Sequence, residues 1–437
     1  MKALLERYLK RGKVLLLGFG REGQSTYRYL RHHFPGLPLA IADQNENPDL
    51  IVAAGDKNLT LQLGKNYLDS IADYQILIKS PGVQLRDHNH LLHDKVLLSQ
   101  AGLFLECYGR QTIGITGTKG KSTTSSLIYH ILNESGRDAL LVGNIGKPAF
   151  DYIDKINAET LIVFELSAHQ LEHVHHAPHI AILLNIFEEH LDYFDGMNAY
   201  VQAKMNIARY QRPNDHLIFD KENELLTRQL QLLAPAPHLH PIDLSVVSIN
   251  DSGALAGNHN RKNIATAHQA CQLAGVTEAE INPAIKTFKT LEHRLEWVGN
   301  FCGRDFYNDS ISTIPESTIE AVKTIDKTHM LILGGFDRGI NYEALVEFLA
   351  KSEVRLFIFT GAAGIHIAQL FAPLCRKDQE IVMVEKFEDI ELHFNKIPHG
   401  KACLLSPAAS SYDAFKNFEE RGKAYKKMAE NFGASCH

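Results

Sequence analysis

No stretch of the 437-residue sequence approaches the ~18 consecutive apolar residues of a membrane-spanning helix. Its opening, Met1-Lys2-Ala3-Leu4-Leu5-Glu6-Arg7, mixes charges too closely for a signal peptide, so membrane insertion and export are not expected. Positive charge is not in excess either. Lys and Arg number 45 against 51 Asp and Glu, a net charge of −6 with neutral histidines. That leaves no electrostatic case for nucleic acid or an anionic membrane surface. Cysteine is sparse, at positions 107, 271, 302, 375, 403 and 436, with no C-x-x-C pair; the six read as reduced, packing thiols of a cytoplasmic protein. Fixed-length repeats and low-complexity linkers are missing too. What remains is 45% apolar and 22% charged, ordinary for a chain that buries full cores, and its length suits two to four domains of roughly 150 residues.

The pattern that is present is strand, glycine-bearing loop, helix, three times over. Lys13-Val14-Leu15-Leu16-Leu17 leads into Gly18-Phe19-Gly20-Arg21-Glu22-Gly23, and a second strand, Leu39-Ala40-Ile41-Ala42, ends at Asp43. This is G-x-G-x-x-G with an acidic residue twenty positions after Gly23, the dinucleotide fingerprint. The physics requires only a diphosphate at the helix N-terminus and a hydroxyl or base N–H for Asp43, so any nucleoside diphosphate fits; tight strand–helix packing without a ligand is the structural alternative. Ser80-Pro81-Gly82 follows another strand at the edge where ligand contacts fall. Strands near Leu97 and Leu103 close the first domain at about residue 108.

The second domain opens on Ile113-Gly114-Ile115-Thr116-Gly117-Thr118-Lys119-Gly120-Lys121-Ser122-Thr123-Thr124. The common G-x-x-x-x-G-K-[ST] spacing fails, because five positions before Gly120 stands Ile115. A tighter G-T-K-G-K-S-T remains, with a helix pattern behind it (Leu127, Ile128, Ile131, Leu132). Backbone N–H groups of such a loop cradle phosphate; Lys121 reaches the terminal phosphates, and Ser122 or Thr123 offers a hydroxyl to Mg²⁺. This is an ATP site. The apolar strand Thr160–Phe164 ends at Glu165, where a Mg²⁺ ligand belongs. His169, His173, His175, His176 and His179 read as a wet, exposed patch rather than a zinc site. Lys204 reads from its helical spacing as solvated surface. Residues 213–257 suit strands and turns at a domain edge, and asparagines at 258–263 suit a helix cap or the edge of a purine. From His293-Arg294 onward strands again alternate with glycine- or serine-bearing loops. The fold class is α/β in three domains: a Rossmann-like domain at 1–108, a central phosphate-loop domain at 109–291, and a C-terminal Rossmann-like domain at 292–437.

The whole chain resembles the Mur ligases of peptidoglycan synthesis, and within them the glutamate-adding type. The residues that carry this are T-G-T-K-G-K-S-T at 116–123, G-N-I-G at 143–146, E-L-S-A-H-Q-L-E at 165–172 and N-I-F-E-E-H-L-D at 185–192. Further matches are A-K at 203–204, N-H-N-x-x-N at 258–263, H-R at 293–294, N-D-S at 308–310, and L-L-S-P-A-A-S-S with F-K-N-F-E-x-R-G within 404–422. They span all three domains in the family's order.

The resemblance implies an ATP-dependent UDP-N-acetylmuramoyl-L-alanine:D-glutamate ligase, cytoplasmic and monomeric, with the active site where the domains meet. UDP would lie on Gly18, Gly20, Arg21 and Gly23 with Asp43 near the uracil, beside Ser80, Pro81, Gly82, Asn144 and Ser167. ATP would lie on Gly117, Thr118, Lys119, Gly120, Lys121, Ser122 and Thr123, with Asn260 and Asn263 at the adenine, Asp309 at the ribose and Arg294 at the γ-phosphate. Ser122, Thr123 and Glu165 would hold one Mg²⁺; His190 and Lys204, the lysine carbamylated, would serve a second. Thr313, Arg338, Ser411 and Phe418 would form the glutamate pocket. The third domain departs from the type. Ile311 stands where a lysine follows N-D-S, and Phe336-Asp337-Arg338 stands where Asp-Gly-Lys follows the glycine pair. An L-glutamate-adding variant is therefore the alternative. From other classes, a nucleotide-hydrolysing or sensing protein on the same fold, or an NAD-dependent dehydrogenase built on Gly18–Asp43, would leave these C-terminal matches or the phosphate loop without purpose.

Overall fold

The computed structural model describes residues 1–46, 55–189, 193–233, 237–247, 258–289 and 292–435, without the side chains of residues 258 and 259. These form two compact units, the first ending at Phe288 and the second beginning at Lys289. The fold is α/β throughout.

The first unit contains two parallel sheets. In one, the strands run in the spatial order Leu59–Leu63, Leu39–Asp43, Val14–Leu17, Ile76–Lys79, Val96–Ser99. Val14–Leu17 and Ile76–Lys79 are buried at every position, as central parallel strands covered on both faces must be. The order reverses between those two strands, so their carboxyl ends open a crevice suited to a ligand. The second sheet runs His238–Pro241, His216–Phe219, Ile180–Leu183, Thr112–Thr116, Leu161–Glu165, Ala139–Gly143. Here the first strand in sequence, Thr112–Thr116, lies between its second and third successors, and the phosphate loop leaves from that reversal. One core serves both sheets: Phe104 meets Phe164 edge-on at 5.4 Å between ring centres, and Tyr29 meets Phe150 at 5.2 Å.

The second unit is a six-stranded sheet ordered Glu296–Phe301, Arg304–Asn308, Ala402–Leu405, Thr328–Gly334, Leu356–Thr360, Glu380–Val384. Only the first pair is antiparallel.

Several local expectations need correction. The apolar run at Leu103 is a helix, Gln100–Tyr108, because Ser99 caps it by accepting the Gly102 N–H at 3.0 Å. Residues 213–247 include the helix Glu224–Leu230 besides the strand His216–Phe219 and the edge strand His238–Pro241. Cys107, Cys271, Cys375 and Cys403 are free, whereas Cys302 is disulfide-bonded rather than reduced. No helix among the described residues is long and apolar enough to cross a membrane.

Candidate active site

The loop after Thr116 turns through two glycines whose backbone excludes other residues. Gly117 has φ +154° and Gly120 φ +86°. A methyl group would come within 2.9 Å of Leu184 Cβ at the first, and within 2.6 Å of Asn263 Oδ1 at the second. The loop is bracketed by Asn185, which the sequence reading placed in a motif without a role. Its carbonyl accepts the Thr118 N–H at 2.9 Å and its Oδ1 the Lys119 N–H at 2.8 Å, while its Nδ2 donates to Lys119 O at 3.1 Å. With those two amides engaged, the phosphate-facing donors are the N–H groups at the start of helix Lys121–Glu134. Lys121 Nζ folds over the loop onto Gly117 O at 2.9 Å and Thr118 O at 3.0 Å. Asn263 backs the loop: its Oδ1 accepts from Thr124 at 3.2 Å and its Nδ2 donates to Asn260 at 3.1 Å. Both asparagines are buried in the helix Asn258–Leu273, and Asn263 braces the loop from behind.

Glu165 closes the neighbouring strand and is fully buried. Oε1 accepts from Asn144 Nδ2 at 2.8 Å, but Oε2 has no hydrogen-bond partner among the described residues. A buried carboxylate oxygen left open at the edge of a phosphate loop fits a divalent cation, and the glycine cradle fits a polyphosphate. Gly143, φ +107°, lets Asn144 approach, since a methyl there would meet Glu165 O at 2.3 Å. His190 lies outside the described residues.

Lys204 corrects the reading from spacing. It is 1% exposed, donates to Gly117 O at 2.8 Å and lies 4.7 Å from the Tyr200 ring centre. Burial and the positive neighbours Lys121 and Lys119 hold its amine well below the usual lysine range, with Glu189 pulling the other way. Tyr200 in turn contacts Thr118 Oγ1 at 3.0 Å, and Lys119 pairs with Glu189 at 3.0 Å. Of the five histidines expected to form a wet, exposed patch, His175 is exposed, while the other four are partly buried and partnered. His169 packs on Tyr193, His173 lies 3.4 Å from Glu172, His176 3.5 Å from Glu106, and His179 2.7 Å from Asp215.

Within the same unit, the crevice of the first sheet is a cavity of about 410 Å³. Gly18, Gly20, Arg21, Asp43, Ser80, Pro81, Gly82 and Asn144 all line it, together with Glu22, Gln44 and Tyr67, which the sequence did not single out. Gly23 does not line it: a methyl there would strike Gly18 O at 2.1 Å, so its task is close strand–helix packing. Ser167 is also absent from the lining and caps the helix Ala168–Leu171 with a reciprocal Gln170 contact. Asp43 accepts the Phe19 N–H at 2.6 Å and the Asn45 N–H at 2.7 Å, which makes it a brace of the glycine loop as well as a wall of the cavity.

In the second unit the sequence motifs gather around Arg421, 2% exposed. Its guanidinium donates to Ser310 O and Oγ, Gly334 O, Ser410 O and Ala409 O. Burial lowers Arg421 to about 10, with the charge of Asp413 pulling the other way. Arg294 sits between two left-handed residues, His293 (φ 65°) and Leu295 (φ 44°). Glu296 holds this turn through the His293 N–H at 2.8 Å, and Asp309 through the Leu295 N–H at 3.1 Å. Asp309 also accepts from Ser406 at 2.8 Å; burial raises its carboxyl to about 6 against these bonds. Arg338 Nη2 reaches Thr313 O at 2.9 Å, so those two expected glutamate contacts adjoin. Ser411 is buried, and Phe418 O accepts from Ser310.

A parallel α/β sheet ending in a lysine-bearing phosphate loop, with an open buried carboxylate beside it, defines a nucleotide-triphosphate-using enzyme. Comparison with known proteins narrows the class. Residues 115–239 match the Mur ligase middle domain. The UDP-N-acetylmuramoylalanine–D-glutamate ligase of Listeria innocua is 32% identical, over 94% of this chain and 95% of that protein. Its namesake from Clostridium kluyveri is 31% identical, over 98% of both. Among solved structures, MurF from Acinetobacter baumannii has a TM-score of 0.60 at 15% identity, covering 81% of this chain and 90% of that one. MurF ligase from Thermotoga maritima in complex with ADP has 0.58 at 15%, covering 98% and 97%; at such identities these two speak for the fold. The chain belongs to the Mur ligase family.

Proposed function

We propose that this chain is the ATP-dependent ligase that adds D-glutamate to UDP-N-acetylmuramoyl-L-alanine in peptidoglycan precursor synthesis. The observation that carries the reading is the double position of Asn144, which lines the glycine-loop cavity and donates to Glu165 at the phosphate loop. A UDP-bearing substrate and a nucleotide triphosphate would then share one wall.

The substrate's terminal carboxylate attacks the γ-phosphorus of ATP, the bond to ADP breaks, and an acyl phosphate forms. The glutamate amine attacks the acyl carbon and phosphate leaves as the amide closes. The difficulty is that carboxylate and triphosphate repel; Lys121, the helix N-terminus behind it and Arg294 supply fixed positive charge. Ser122, Thr123, Glu165, His190 and Lys204 would hold two Mg²⁺ ions, which when bound neutralise the phosphate oxygens. The weakened basicity of Lys204 supports its carbamylation, since only a neutral amine takes up carbon dioxide. Gly18, Gly20 and Arg21 take the diphosphate, Asn260 and Asn263 the adenine side, Asp309 the ribose side, and Thr313, Arg338, Ser411 and Phe418 the glutamate. We assign three domains, 1–108, 109–291 and 292–437, a reading supported by the three sheets, and a cytoplasmic monomer acting on small molecules.

One observation favours a second reading, L-glutamate as acceptor. Ile311 offers no charge where the D-glutamate type has a lysine, which leaves Arg338 to meet the carboxylates. Phosphate release measured with UDP-N-acetylmuramoyl-L-alanine and each glutamate enantiomer decides between them. ATP cleavage at the same rate without the sugar-peptide would sink both.

A further inference from the structure

Glu22 occupies an awkward place for a carboxylate. It lies in the first turn of helix Arg21–His33 and lines the cavity ascribed above to the diphosphate. On its other side it lines a small cavity with Lys79, His169, Gln170 and His173. Gln170 Nε2 donates to Glu22 Oε1 at 2.5 Å. That amide cannot flip, because Gln170 Oε1 accepts the Ser167 N–H at 2.8 Å while the Gln170 N–H bonds back to Ser167 Oγ at 3.2 Å. Ser167 follows Glu165 by two residues. A single side chain, Gln170, thus joins the glycine-loop helix to the turn that succeeds the expected metal ligand.

We propose that Glu22 is a positioning residue for the ligase reaction: through Gln170 it ties the diphosphate cavity to the turn after Glu165, and it does so as a neutral acid when the substrate's diphosphate is bound. The inference rests on the diphosphate reading of that cavity. Burial raises the Glu22 carboxyl to about 7, against the Gln170 hydrogen bond and the charges of Lys79 and Arg21. Lys79, from the strand Ile76–Lys79, is largely claimed elsewhere: its amine lies 3.2 Å from Glu172 and 3.1 Å from the Tyr193 hydroxyl, and burial lowers its basicity. The remaining titratable neighbours across the small cavity are His169, packed on Tyr193 and Phe194, and His173, turned to Glu172. Among the described residues, the charges of Lys79 and Arg21 do not offset the burial that disfavours the Glu22 anion. A diphosphate arriving at the same helix start adds negative charge beside it, and binding draws a proton onto Glu22.

The test is calorimetric titration of the full chain with UDP-N-acetylmuramoyl-L-alanine, in buffers of differing ionisation enthalpy, between about pH 6 and about pH 8.5. The ligand has no group that titrates in that window. Binding is expected to take up a substantial fraction of one proton above neutrality, and affinity to weaken by up to about tenfold per pH unit. Glu22→Gln keeps an acceptor for Gln170 without the charge; it should abolish the uptake and flatten KM for the UDP substrate against pH. Glu22→Ala removes the acceptor and should lower kcat several-fold at saturating substrates, with the glutamine variant restoring it. Binding by the wild type without proton uptake, or an unchanged pH slope in Glu22→Gln, overturns the inference alone. Failure of the wild type to bind the ligand at any pH overturns the diphosphate reading and the inference with it.

Discussion

Replacing Lys204 by methionine should leave the protein about as stable and the enzyme inactive. The lysine is 1% exposed and donates to Gly117 O at 2.8 Å. That carbonyl also accepts Lys121 Nζ at 2.9 Å, so the substitution leaves no orphaned oxygen. The loss is then one hydrogen bond, about 1 kcal/mol net. Against it stands the removal of an amine that burial and two lysines disfavour as a cation, which works in the opposite direction. Methionine fills nearly the same volume and packs well on the Tyr200 ring. The net change should fall within roughly 1 kcal/mol of zero, or about 2–4 °C in the melting midpoint for a unit of this size. Activity, by contrast, should fall by about 10²-fold or more, because the group aimed at the phosphate loop is gone. Thermal melts and phosphate release on one preparation give both numbers. Activity within a few-fold of wild type would refute a catalytic role; a melting loss well beyond about 10 °C would make Lys204 a structural prop.

Gly120→Ala should raise KM for ATP by at least about tenfold, because a left-handed alanine costs about 1–2 kcal/mol and its methyl displaces Asn263 from behind the loop. Affinity for the UDP substrate, read by calorimetry, should not change; a normal KM for ATP would contradict the cradle. Arg338→Ala should raise KM for glutamate by about 10–100-fold with KM for ATP unmoved, and lysine should restore only part, since it lacks the bidentate fork. Asp309 gives a pH signature. Its folded carboxyl lies at about 6 against an ordinary 3.8, so the folded state holds the proton more tightly. The stability from this group is complete below the ordinary value and lost as pH rises through about 6, a change of up to about 3 kcal/mol. Asp309→Asn should flatten that fall in melts between about pH 4 and about pH 7; an unchanged slope would show that the proton sits elsewhere.

Much of the site was legible because its signals are contiguous. Gly117, Gly120, Lys121 and the strand before them lie within a few residues, and the backbone demand for positive φ is written into the glycines themselves. The same holds for Gly18, Gly20 and Asp43, and for the uniformly apolar strands that mark parallel sheets. Arg338 beside Thr313 followed from family likeness rather than from spacing.

What the sequence by itself determined, then, was the set of local devices: three strand–loop–helix sheets, a phosphate cradle, a glycine loop. The tertiary structure alone decided which distant side chains meet them. Lys204 has the spacing of a surface lysine, and only the packing of its helix beneath the loop buries it. Asn185 brackets a loop 66 residues before it, and Gln170 reaches Glu22 across 148 residues. Such partners are set by the order of strands in space, which departs from their order in the chain, and by the desolvation that follows. Neither leaves a periodic trace in the residues concerned.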